Sequence, residues 1–177
     1  NIKIYNQSIK QFPHPSREPF KGEILDIVQD KVISIAEAAI EHAQKHPGQT
    51  LGIIAFSQER CYEIESEIHQ RIEKGSSAER FFNQENNLTR YYVKTPERAC
   101  DKYRDKVFVC ADPEGITGIT GEHKIAISSS LAKQELHVFI TEVNIAKHPN
   151  AKATLFWNWI EYLQKKIKLE PSAIPSS

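Results

Sequence analysis

Arg98, Lys102, Arg104 and Lys106 crowd into one short stretch, with Asp101 and Asp105 interleaved among them. Cations at that density can hold phosphate groups; carboxylates so close make local ion pairs an equal reading. His42 and His46 stand one helical turn apart, the spacing of a metal-binding pair. Ala43 follows His42, however, so the HExxH pattern is not met and no third ligand is at hand; two surface histidines are the plainer reading. His123 and His137 lack a Cys or Asp pattern around them. Glu63, Glu65 and Glu67 lie among Lys and Arg partners and read as a solvated helix face. Cys61, Cys100 and Cys110 form no CxxC pair and leave an odd count, as expected of reduced thiols in an intracellular protein. The glycine-rich segment 111–122 lacks GxxxxGK[ST] and reads as a solvated connection rather than a phosphate loop. No motif surrounds a candidate Ser or Cys nucleophile.

The elements that must position these groups centre on residues 51–62. Leu51 to Phe56 is a short uncharged apolar run, the pattern of a strand buried on both faces of a parallel sheet. It is preceded by a helical pattern and the stop His46-Pro-Gly-Gln-Thr50, and it runs into a second helical pattern that Ser57 is placed to cap. Ligands of open α/β sheets sit beyond the carboxyl ends of the strands, here Phe56-Ser57-Gln58. Asp30 can cap a helix over 31–46 whose face carries Val32, Ile35, Ala36, Ala39, Ile40 and Ala43. Cys61, Ile64, Glu65, Ile68 and Ile72 repeat the pattern over 58–74, and Gly75 stops it. A short helix over 78–86 carries Phe81 and Phe82.

Strands are expected at 51–56, 90–94, 106–110 and 136–141, with a possible edge strand at 1–5. Residues 23–29 are undecided between strand and turn, and 123–133 between helix and strand. Asn150 can cap a last helix over 152–167, with its two tryptophans as core anchors. Three prolines make 1–22 an extended segment or linker, 23–169 forms one α/β domain, and 170–177 is a disordered tail.

The chain has 177 residues, enough for one domain with a sizeable core. Basic and acidic residues balance at 23 each, so bulk charge does not select for nucleic acid or membrane. No apolar run approaches the ~20 residues of a membrane span, and no membrane partner is expected. Methionine is absent, which suggests a domain excised from a larger protein.

Four stretches resemble, in order, the second RecA-like domain of superfamily 1 helicases. Residues 31–46 followed by His46-Pro-Gly-Gln-Thr-Leu-Gly-Ile-Ile-Ala-Phe-Ser57 are similar to that family's approach to motif IV, with Arg60 at the usual glutamine. Val93 to Phe108 resembles motif V without gaps: Val93, Lys94, Glu97, Arg104 and Asp105 match, Cys100 and Asp101 replace Gln-Gly, and Tyr103 replaces Glu. Lys124 to Ser128 and Leu131 to Phe139 resemble the halves of motif VI, interrupted by Ser129 and Ser130. Lys133 matches its second arginine, while Leu131 or Ser129 stands where the first would be. Asn150 to Leu163 is similar to the family's closing helix.

The resemblance implies a RecA-like, mostly parallel sheet with helices on both faces, of P-loop NTPase type but without the P-loop. It implies a cytoplasmic helicase-derived domain whose ligand-facing wall comprises Ser57, Arg60, Glu97, Arg104, Asp105 and Lys133. ATP and Mg²⁺ would bind only when a first RecA-like domain of the same parent chain supplies the phosphate loop. Motif V lacks its glycine and motif VI its arginine finger, so no catalysis is expected from this chain alone, although the parent could be an ATP-dependent helicase acting on DNA or RNA. Two other classes remain: a restriction-like nuclease domain, for which Glu122-His-Lys124 is the nearest Glu-x-Lys, and a non-catalytic scaffold.

Overall fold

A computed structural model describes residues 2–5, 21–25, 31–83, 90–112, 118–139 and 158–159. In chain order these form β1 (Ile2–Tyr5), β2 (Lys21–Leu25), α1 (Lys31–Lys45), β3 (Leu51–Ala55), α2 (Gln58–Arg71), α3 (Ser77–Asn83), β4 (Tyr91–Lys94), α4 (Pro96–Ala99), β5 (Arg104–Cys110), α5 (Gly118–Ser130) and β6 (Ala132–Phe139).

The apolar run at Leu51 does form a strand, and every residue of it is buried. Burying a side chain such as Leu51, Ile53 or Ile54 is worth about 1.5–3 kcal/mol, which outweighs the weak local preferences of so short a segment. Helix α2 starts where Ser57, in extended conformation, accepts a hydrogen bond from the Arg60 amide through its side chain. Helix α3 has the same kind of start: the Ser76 hydroxyl accepts from the Glu79 amide, and Glu79 reaches back to accept from the Gly75 amide. Gly75 itself has φ +80°, a conformation that favours glycine in this turn.

The strands form one sheet in the order β1-β2-β6-β5-β3-β4. All pairs from β2 to β4 are parallel; only β1 runs antiparallel, against β2. Strand β4 pairs on one side of β3, and the chain then crosses back to place β5 on the other. The order of winding therefore reverses between β3 and β5, and at such a point the helices that follow the two strands leave on opposite faces and open a crevice.

Both faces are covered. Helices α1, α2 and α3 pack on one through Ile35, Ala39, Ile64, Ile68 and Phe81, against Leu51, Ile53, Val93, Phe108 and Phe139. On the other, Ala99, Ile125 and Trp159 pack against Ile54, Tyr92, Val107, Val109, Leu136 and Val138. The fold is α/β with a mostly parallel sheet between two helical layers, the architecture expected of a RecA-like domain.

Several boundaries differ from the sequence reading. The segment 118–130, taken there partly as a solvated loop and partly as undecided, is helix α5. Its helix formers are weak, and it is held by tertiary burial of residues such as Ile125 rather than by propensity. Strands β5 and β6 begin earlier than expected, because the amide of Arg104 bonds the Leu131 carbonyl and extends the ladder toward the amino edge. Residues 2–5 and 21–25 join the same sheet, so part of the stretch read as a linker supplies strands. Trp159 is buried in helical conformation. The rest of the expected last helix, the Asp30 cap and the tail 170–177 lie outside the described residues.

Candidate functional site

The crevice between the carboxyl ends of β3 and β5 is built from few residues. Strand β3 hands over to α2 at Ser57, and β5 ends at Cys110 and leads to Asp112. Arg60, in the first turn of α2, reaches from one strand end to the other. Its Nε donates to Asp112 Oδ2 at 3.3 Å, and its Nη1 donates to Glu63 Oε2 at 2.7 Å. The Cys110 thiol lies 3.9 Å from the same Asp112 oxygen.

Partial burial works against the Arg60 charge, but Asp112, Cys110 and Glu63 outweigh it and hold the guanidinium more firmly protonated than usual. The arrangement is a fixed cation beside the amino end of a 14-residue helix, already neutralised by two carboxylates of its own chain. An anion entering here must displace Asp112 or Glu63 from Arg60, which disfavours tight binding of a lone phosphate group.

The residues expected to share one wall divide between two edges of the sheet. Ser57 and Arg60 lie at the carboxyl edge. Glu97 is in α4, just beyond the carboxyl end of β4, with Lys124 of α5 3.9 Å from its carboxylate. Arg104, Asp105 and Lys133 are at the amino ends of β5 and β6, where Arg104 pairs in register with Ala132. The seven residues of β5 separate that edge from Cys110 by about 20 Å of strand.

Asp105 has a local role. The Thr50 amide and hydroxyl both donate to its Oδ2, at 2.8 and 3.0 Å, and the Thr50 hydroxyl accepts from the Asp105 amide at 2.9 Å. This clasp ties the start of β5 to the start of β3. Arg104 turns onto the α4–α5 face, where its guanidinium stacks 4.9 Å from the centre of the Tyr92 ring and donates to the Tyr103 carbonyl at 2.7 Å. Burial lowers its hold on the proton, with Tyr92 and Asp105 partly compensating. Lys133 is exposed.

Asp112 was missed in the sequence because it follows a strand end by two residues and belongs to no motif; only the strand order shows that Arg60 and Asp112 meet. His42 also departs from its reading. It is 3% exposed rather than a surface residue, because α3 packs on α1 and sets Phe81 edge-on to the ring at 5.8 Å between centroids. Its Nε2 lies 3.0 Å from the Gln49 carbonyl and must carry the proton to donate there, which leaves Nδ1 buried with no hydrogen-bond partner. His46 is 5.9 Å away between ring centres, and no group of three or more metal-ligating side chains occurs among the described residues. Glu63 and Glu67 pair with Arg60 and Arg71 as a solvated face would, whereas Glu65 is half-buried and burial raises its pKa. Burial likewise pushes the Cys61 thiol up to about 11, which keeps it protonated at neutral pH.

No helix among the described residues is long and apolar enough to cross a membrane. No protein-family model and no curated protein matches the chain. Among solved structures it is similar to the C-terminal domain of a possible DNA helicase from Lactobacillus plantarum, at 17% identity over 68% of this chain and 72% of that one, with a TM-score of 0.48.

Proposed function

We propose that this chain is a helicase-derived RecA-like domain of superfamily 1 type, a piece of a larger cytoplasmic protein that contacts nucleic acid and a first RecA-like domain without catalysing a reaction alone. The observation that carries the reading is the position of the Arg60–Asp112 contact. It lies at the reversal of winding between β3 and β5, where α/β sheets take ligands, and it holds the residue that the resemblance aligns with motif IV.

The order of the four helicase-like stretches supports the same reading. One wall of an ATP site would be present, with Ser57, Arg60 and Glu97 on it; the phosphate loop and Mg²⁺ ligands would come from the partner domain. Arg104, Asp105 and Lys133, at the other edge, would serve the stability of the sheet and its contacts rather than the nucleotide. The nuclease alternative would require acidic side chains free to hold Mg²⁺ at a strand end; the two carboxylates there, Asp112 and Glu63, are held by Arg60, and no group of three metal-ligating side chains occurs among the described residues.

Two titrations test this. A fluorescently labelled 20-nucleotide strand, followed by anisotropy, should bind with a Kd within the roughly 10⁻⁴–10⁻⁶ M range of sequence-independent contacts. Mg-ATP in a calorimeter should give no micromolar signal. A micromolar, Mg²⁺-dependent heat that disappears in Arg60→Ala would mean that the crevice is a complete nucleotide site and would overturn the proposal, as would failure to bind the strand at 50 mM salt.

A further inference from the structure

The basic stretch that opened the sequence does not stay together. Arg104 and Lys106 would share a face in a regular strand, but the register shift between them breaks the alternation: Lys106 lies on the α1 side with Phe108, its Nζ 3.0 Å from Glu135 Oε2. Arg98, Lys102 and Arg104 remain on the α4–α5 side, and Lys94, two residues beyond Tyr92 on β4, joins them on the same face of the sheet.

The scaffold beneath this group is closely packed. A Cβ on Gly52 would meet the Tyr92 ring at 2.7 Å, so the absence of a side chain there lets the ring lie across β3. The Tyr92 hydroxyl donates to the Lys102 carbonyl at 2.9 Å, the Lys102 ammonium donates to the Arg98 carbonyl at 2.9 Å, and Arg104 stacks on Tyr92. Lys94 is affected by its neighbours: after burial, Lys102, Arg104 and Arg98 each lower its pKa.

The nearby carboxylates are largely committed elsewhere. Glu97 faces Lys124, and Asp105 is held by Thr50, which leaves Asp101 exposed at the rim. Among the described residues no carboxylate lies within ion-pair distance of Lys94, Arg98 or Lys102. The one fully exposed large hydrophobic residue among those described is Tyr62, on α2, while Tyr103, between Lys102 and Arg104, is half-buried and packed against the core.

We infer that Lys94, Arg98 and Lys102, set around the buried Arg104–Tyr92 pair, form a phosphate-backbone contact surface for nucleic acid that is indifferent to base sequence. This rests on the proposed nucleic-acid role and assigns it to the cations around α4, beside Glu97, rather than to Arg60 itself. Lysine and arginine side chains reach phosphates, and with Tyr103 packed against the core no fully exposed ring stands among them to stack on a base. Three such contacts give a salt dependence of log K of about −2 on single strands and nearer −3 on duplex.

The test compares the wild-type chain with Lys94→Gln/Arg98→Gln/Lys102→Gln and with a charge-matched control at exposed positions elsewhere, Lys45→Gln/Lys74→Gln/Arg80→Gln. Each is titrated against labelled oligothymidylate and a mixed-sequence strand from 50 to 200 mM salt, with circular dichroism to show that all three fold. The patch variant should bind about tenfold or more weakly at 50 mM salt and lose about two units of salt slope, with both strands affected alike and the control unchanged. If the wild type binds and the patch variant keeps its affinity and slope, the contact surface lies elsewhere and this inference fails while the nucleic-acid role stands. If the wild type does not bind, both fail. A variant that discriminates between the two strands would show base reading and also overturn the inference.

Discussion

His42 illustrates how a single side chain can couple stability to pH. Burial lowers its pKa, against the opposing effect of its bond to the Gln49 carbonyl; Lys106 and His46 lower it further and Glu135 raises it. Its unfolded value is about 6.5. Between the depressed folded value and 6.5 the unfolded chain binds the extra proton, so stability rises with pH through that window and is lost as pH falls through it. The expected result is a melting temperature that drops between pH 7.5 and 5.5, and drops less in His42→Gln, whose amide can still donate to Gln49. An equal drop in both, read by circular dichroism, would mean that another group carries the effect. The sequence spacing exposed the His42–His46 pair, but its burial depended on Phe81, which a distant turn brings over α1.

At the scale of elements, Gly52, Tyr92 and Lys102 link β3, β4 and the crossover after α4. Gly52→Ala places a methyl group where the Tyr92 ring sits, and overpacking of this kind costs about 1–3 kcal/mol. Tyr92→Phe keeps the ring and removes only the bond to the Lys102 carbonyl, a loss of about 0.5–1.5 kcal/mol. Urea denaturation should rank the two in that order; equal midpoints for wild type and Gly52→Ala would show that the ring moves aside at no cost.

Much of this layer was legible in advance. Apolar runs without charge announced β3 and the core of β5, and helical spacing announced α1 and α2, because burial there coincides with the local pattern. Helix α5 was not legible: Gly, Thr and Ser fill its sequence, and what holds it is a sheet face assembled from distant strands. The Arg60–Asp112 contact was hidden for a related reason, since pairing of strand ends depends on strand order, which no local pattern encodes.

The whole molecule is stitched by distant pairings. Strand β2 lies beside β6, and β3 lies between β4 and β5, so that each parallel neighbour is reached through a long crossover. Sheets of this kind have high contact order and form slowly relative to helical bundles of similar size. The same topology places the two proposed contact regions: Arg60 depends on the ends of β3 and β5, and the basic surface on β4 and the crossover after it.

The Thr50–Asp105 clasp has a consequence in time. It joins residues 55 apart in sequence at the extreme ends of two strands, so its bonds are expected to close only after the sheet has assembled around them. Interactions formed after the transition state leave folding rates alone and act on the rate of opening. Asp105→Ala, leaving a half-buried amide with its partner gone, should cost about 1–2 kcal/mol. In stopped-flow experiments that loss should appear as unfolding accelerated by roughly five- to thirtyfold, with refolding unchanged. A slowed refolding arm would instead place the clasp in the folding nucleus. On the expected outcome, one aspartate at the edge opposite the crevice sets how long each folded molecule lasts.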